Sequence, residues 1–170
     1  MTTRMLIVLY LAAIVAANLS VALLGPGMVI VNAFVLIALD LTTRDRLHDA
    51  WRGPHLWRNM ALLIGAGSAL SVALNLAALP VAVASCAAFA LAGAADALVY
   101  SRLEHRSWYA RANGSNVVSA LVDSLVFLGV LAALGGLPWE AVPLLVAGQW
   151  AAKVVGGALW AAALRKVRMV

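Results

Sequence analysis

The sequence predicts an all-α integral membrane protein, a bundle of six transmembrane helices with both termini in the cytoplasm. Three observations carry this. Hydrophobic residues make up 65% of the 170-residue chain and charged residues 11%, with a mean hydropathy of +0.98. A soluble domain runs nearer about 45–50% apolar and about 25% charged, so this chain has too few charges to cover a water-exposed surface. The apolar residues fall in six stretches, most of them near the roughly 20 residues a bilayer-crossing helix needs. The basic residues sit almost entirely in alternate connections, the pattern of a topology signal. The formal charge of +5 therefore sets orientation, and no nucleic-acid partner is expected.

The first stretch, 5–24, is long enough to span and ends in the tight turn Gly25-Pro26-Gly27. The second, 28–41, is short and reaches spanning length only by running on to about residue 46. The third, 59–79, is closed by Pro80 and followed by 81–101, extended to about 103 as a helix. The fifth, 117–137, begins as a helix near 116. It returns through Gly135-Gly136-Leu137-Pro138, with Pro143, into the sixth, 141–164, drawn from 140. The result is one transmembrane domain with helices 5–24, 28–46, 59–79, 81–103, 116–137 and 140–164. These runs are rich in Ala and Leu and lack the alternation of a barrel wall. A cleavable signal peptide over 1–24 is a poor fit, because the apolar run is too long and the rest of the chain is equally apolar.

Eleven of the 12 basic residues lie on one side: Arg4, the loop 42–58, the loop 102–116, and the C-terminal Arg165, Lys166 and Arg168. The three tight turns carry none. This asymmetry points to a multi-pass protein of the cytoplasmic (inner) membrane, with the turns outside. The loop 42–58 is expected to hold a short interfacial helix, capped by Thr42 and Asp45, with Leu47 and Trp51 in the headgroup layer. The lone Cys86 supports no disulfide framework.

In this setting the informative residues are the polar ones at bilayer depth, where an ionisable group costs at least ~2.5–3.5 kcal/mol. Four ionisable groups occur there: Asp40, Asp96, Asp123 and Lys153. Asn116, Ser119, Asp123 and Phe127 follow at offsets of three, four and four and so share one helical face. Lys153 lies near the middle of the last stretch, with Gln149 one turn before it on the same face. Snorkelling to the interface would have to cover roughly 16 Å, so a paired or ligand-facing lysine is favoured. Asp40 and Asp96 lie near the cytoplasmic interface, where they border a loop or pair with an arginine such as Arg102. They are also candidates for gating or for a coupling proton. Asn18 and Asn32 sit deeper, as helix glue or ligand contacts. Ser68, Ser71 and Asn75 form a stripe read as packing. Trp150 and Trp160 are placed to pack or to stack on a ligand. His48, His55 and His105 lie in loops without zinc spacing, and no nucleophile–base constellation or phosphate loop is present. No metal, no cofactor and no enzymatic chemistry are expected.

These residues resemble a known family. Ala38-Leu39-Asp40-Leu41-Thr42 is followed by Arg44. Further on come Asp96, Arg102-Leu103, Arg106, Trp108 and Ser115, then Ser119-x-x-x-Asp123-Ser124-x-x-Phe127, with Lys153 downstream and Asn18 in the first helix. In order and spacing the set is similar to the queuosine precursor transporter family, also called vitamin-uptake-transporter-like. Gly93 and Ala120 stand where members often carry glutamine, and Ala33 and Ala162 where they carry proline. The resemblance implies a six-helix importer of 7-deazaguanine precursors, chiefly 7-cyano-7-deazaguanine, with Asn18, Asp40, Asp96, Asp123 and Lys153 around the pocket. A guanine-like base offers adjacent N–H and NH₂ donors to a carboxylate and a carbonyl oxygen to a lysine or amide. Together the two readings give a substrate-binding set of Asn18, Asn32, Asp40, Asp96, Asn116, Ser119, Asp123, Phe127, Gln149 and Lys153. Partners are the deazapurine and the lipid bilayer. Proton or sodium-ion coupling and a homo-oligomer stay open. Two other classes also stay open. One is a vitamin-capturing subunit that works with energy-coupling partners and would co-purify with an ATPase. The other is a non-transporting scaffold in which Asp123 and Lys153 simply pair.

Overall fold

The computed structural model describes residues 2–37 and 55–166 and, between them, Leu39, Thr43, Leu47, Ala50 and Trp51, with the side chains of 108–113, 157–158 and 160–166 excepted. Among the described residues every regular element is helical. Helix α1 spans Thr3–Leu24, and the Thr2 hydroxyl accepts from the Met5 N–H to cap it. It stops at Gly25, whose φ of 86° only glycine adopts without strain. Helix α2, Met28–Asn32, runs directly into a π-helical turn, Ala33–Ile37. A π turn, like a proline, interrupts the α-helical bonding ladder. Here it begins at Ala33, where the family resemblance expects a proline.

Helix α3 covers Leu56–Leu74 and α4 covers Leu79–Arg102. The break between them comes at Asn75 rather than at Pro80. Asn75 takes an extended backbone, and its side chain accepts from the Ala77 N–H at 3.0 Å, starting one 3₁₀ turn, Leu76–Ala78. A short amide side chain competes well for backbone donors, which moves Asn75 from the expected packing stripe to a cap. Pro80 lies in the first turn of α4, where its missing N–H costs no helical bond. Helix α5, Trp108–Ala133, starts well before its apolar run, so the expected charged loop 102–116 shrinks to 103–107. A glycine turn with Gly135 at φ 77° and a 3₁₀ turn, Trp139–Ala141, lead into α6, Val142–Lys166.

Four described stretches are long and apolar enough to cross a membrane: Thr3–Leu24, Leu56–Leu74, Leu76–Arg102 and Gly114–Ala133. Met28–Ile37 is apolar but too short by itself. The 25 residues of α6 extend about 37 Å at helical rise. Leu23, Leu62, Leu74 and Leu144 point outward and are largely exposed. Such an apolar exterior suits lipid and not water, and the chain is a multi-pass membrane protein.

Two apolar clusters hold the bundle. One joins Val21, Val29, Ala88, Phe127, Leu128 and Val146, from five of the six helices. The other packs Leu6, Tyr10 and Ile14 of α1 on Met60 and Leu63 of α3. Leu47 is fully buried in this second cluster, with Trp51 against it. Leu47 and Trp51 thus pack onto the protein instead of lying in a headgroup layer. Thr42 and Asp45, the expected cap, lie outside the described residues.

Helix α1 meets α3 closely at Gly67, where an added Cβ would stand 2.9 Å from Ile14 Cγ2. Gly67→Val is expected to overpack this crossing by about 1–3 kcal/mol. A lowered thermal midpoint in detergent checks it. Gly65→Ala, which would meet nothing within 4 Å, is expected to show no loss.

Candidate functional site

All six helices contribute to one cavity of about 860 Å³, counting its open mouth. Its wall is largely apolar, with Ile14, Val21, Val29, Val81, Ala88 and Phe127 among its lining residues. Its polar groups are few and come from different helices, which is the general form of a small-molecule site.

On α5, Ser119, Asp123 and Phe127 recur every four residues and so present one face to the cavity. On α6, Gln149 and Lys153 are likewise one turn apart and face it. The Lys153 ammonium pairs with Asp123 Oδ2 across the two helices. It also donates to Ser124 Oγ at 3.1 Å, and that hydroxyl donates to the Ala120 carbonyl. A lysine this deep needs such partners, since an unpaired buried charge is severely penalised. The two halves of the pair differ in access: the Lys153 side chain is 1% exposed and that of Asp123 is 22% exposed. The carboxylate is the half a solute reaches first. Gln149 is 4% exposed, and its Oε1 has no hydrogen-bond partner among the described residues.

The asparagines are tied up in the frame. Asn18 donates to Ser71 Oγ at 3.2 Å and accepts from Ser85 Oγ at 2.9 Å, fastening α1 to α3 and α4. Asn32 donates to the Ala17 carbonyl at 3.1 Å and to Ser20 Oγ at 2.7 Å, fastening α2 to α1. Both line the cavity, with their amide groups turned to neighbouring helices.

Seven of the ten expected site residues thus surround one space: Asn18, Asn32, Ser119, Asp123, Phe127, Gln149 and Lys153. Asn116 does not join them. It is exposed, lies about 10 Å along α5 from Asp123, and offers its carbonyl to the Ser119 hydroxyl. Asp96 lies one turn beyond Ala92, the last residue of α4 on the cavity wall. It is half-buried and pairs with no cation, Arg102 included, among the described residues, and its Oδ1 lacks a hydrogen-bond partner there. Asp40 lies outside the described residues.

Three further lining residues with polar or aromatic side chains were not expected. Ser68, read as packing, faces the cavity and accepts from Cys86 Sγ at 3.1 Å. Ser85 and Phe89 lie in the apolar run of α4, and only helical phase relative to Ala88 and Ala92 could have marked them. Phe89 also stands edge-on to Tyr10, with ring centroids 6.3 Å apart. Trp150 instead donates from its indole to the Val117 carbonyl at 3.1 Å, pinning α6 to α5.

No curated protein and no solved structure matches this chain. A family model described as "Putative vitamin uptake transporter" matches residues 3–164. That match runs from the first residue of α1 nearly to the end of α6 and agrees with the family resemblance of the motifs, so the chain belongs to the vitamin uptake transporter family.

Proposed function

We propose that this transporter imports a queuosine precursor, 7-cyano-7-deazaguanine or a related 7-deazaguanine, into the cytoplasm. The observation that carries the proposal is the cavity itself: aromatic and aliphatic walls around a buried carboxylate–ammonium pair contributed by two helices. Family membership supplies transport, and the motif resemblance supplies the substrate. The chemistry supports that choice. The accessible carboxylate of Asp123 accepts the adjacent N–H and NH₂ donors of the base in bidentate fashion. Lys153 donates to the ring carbonyl, Ser119 adds a hydroxyl, and Phe127 and Phe89 pack on the ring. Asn18 and Asn32 hold the surrounding helices in register. Asp96, with a carboxylate oxygen that no described residue partners one turn from the cavity, is the group best placed to carry a coupling proton. Asp40 and Asn116 would serve the cytoplasmic approach to the site.

In this reading the whole chain is one transmembrane domain. Both termini face the cytoplasm, the orientation that the one-sided arginines favour. Rocking of the helices about the central pair would open the cavity to each side in turn.

The test is uptake of labelled 7-cyano-7-deazaguanine by cells that lack their own importer and synthesis route. Expression of the chain is expected to restore accumulation. Protein present in the membrane with no accumulation overturns the substrate.

A further inference from the structure

The cavity's polar groups are almost all spoken for before any solute arrives. Lys153 is held by Asp123 and Ser124. Asn18 is engaged at both ends of its amide, by Ser71 and Ser85. The Asn32 amine has two acceptors, and Ser119 donates to its own helix. Gln149 is the exception among the described lining residues. It is 4% exposed, faces the cavity, and its Oε1 has no partner. A buried amide oxygen without a donor is a costly feature that native proteins rarely retain without a use. Lys153, on the same face one turn away, has two of its three donors directed at Asp123 and Ser124.

The charges add a second constraint. Asp123 and Lys153 are the only ionisable residues among the described residues that line the cavity, and they neutralise one another. A solute with a net charge would enter an apolar space whose own charges already cancel, and no other described lining residue carries a charge to compensate it.

We propose that Gln149 is the specificity-determining acceptor of this cavity, and that the cavity selects an uncharged solute that brings an N–H or O–H donor to Gln149 Oε1. This rests on the cavity being the transport site, as argued above, and deepens that reading. Gln149 becomes an acceptor, rather than a donor to the ring carbonyl. An uncharged lactam-type base carries both the donor for Gln149 and donors for the exposed edge of Asp123. An analogue in which an aminomethyl group replaces the nitrile is an ammonium ion at neutral pH and is disfavoured.

The experiment uses the purified full chain in detergent and two probes, 7-cyano-7-deazaguanine and its aminomethyl analogue. Binding is read by titration calorimetry and by ligand-induced thermal shift. The parent chain is expected to bind the nitrile at least about tenfold more tightly than the ammonium analogue. Gln149→Leu, which keeps the size and removes the acceptor, is expected to weaken nitrile binding by about tenfold, the usual worth of one hydrogen bond at its upper end. The same substitution is expected to raise the thermal midpoint of the ligand-free protein, because an unpaired buried oxygen is gone. Gln149→Glu is expected to shift preference toward the ammonium analogue. Nitrile binding that is unchanged in Gln149→Leu overturns the role of Gln149, and equal binding of both probes by the parent overturns the charge selection. If neither probe binds the parent, the substrate assignment falls on its own. The ligand-free comparison then still decides the rest: a Gln149→Leu chain no more stable than the parent means that Oε1 was already satisfied, which overturns the inference.

Discussion

Asp123→Ala and Lys153→Ala are each expected to abolish uptake and to destabilise the bundle by about 3–5 kcal/mol, the usual cost of leaving one buried charge without its partner. Asp123→Ala is the more damaging to stability, because it strands Lys153, whose side chain is 1% exposed against 22% for Asp123, and an ammonium at that depth has no water to turn to. The double replacement Asp123→Asn with Lys153→Met removes both charges together. It is expected to recover most of the lost stability, since neutral replacements of buried ion pairs are often tolerated, but to recover no uptake. Thermal unfolding in detergent and uptake in cells, measured on the same four chains, separate the two roles. If the pair only clamps α5 to α6, the charge-swapped double variant Asp123→Lys with Lys153→Asp keeps full uptake. If the pair reads a solute, the swap fails even where it restores folding.

Ala88→Phe is expected to reduce uptake to background. Ala88 is 1% exposed and sits in α4 against Phe127, within the apolar cluster that walls the cavity. A phenyl ring there projects into space that the solute needs. Overpacking costs typically run to about 1–3 kcal/mol, so the variant is expected to fold and reach the membrane with a modestly lowered thermal midpoint. Membrane abundance and uptake measured together check this. Normal uptake by a well-expressed Ala88→Phe chain would remove the cavity from the transport path.

The parts of this protein that were legible in one dimension are those governed by local rules. Apolar stretches of bilayer length fold as helices because lipid leaves the backbone no outside partner, and α1 and α4 follow their stretches closely. Ser119, Asp123 and Phe127 were placed on one face by helical spacing alone, and so were Gln149 and Lys153. The ends of elements were less legible. Asn75 outcompeted Pro80 for the third turn, because an amide side chain that caps is chemically the same residue as one that packs. Ala33–Ile37 carries no sequence mark of its π turn, since the switch depends on what the helix packs against.

The amino-acid sequence by itself determined that the chain lives in a membrane and is helical. It also singled out Asp123 and Lys153 as the charges to explain. Charge scarcity and residue spacing suffice for those conclusions, because burial in lipid acts on each stretch separately. Only the tertiary structure decided how the polar groups divide between frame and site. Asn18 and Asn32 looked equivalent to Gln149 along the chain. Ser71 and Ser85 come from α3 and α4 to engage Asn18, Asn32 reaches back to α1, and Gln149 Oε1 meets no donor among the described residues. Hydrogen bonds between helices depend on which residues face each other across a packing interface, and spacing within a single helix does not contain that information.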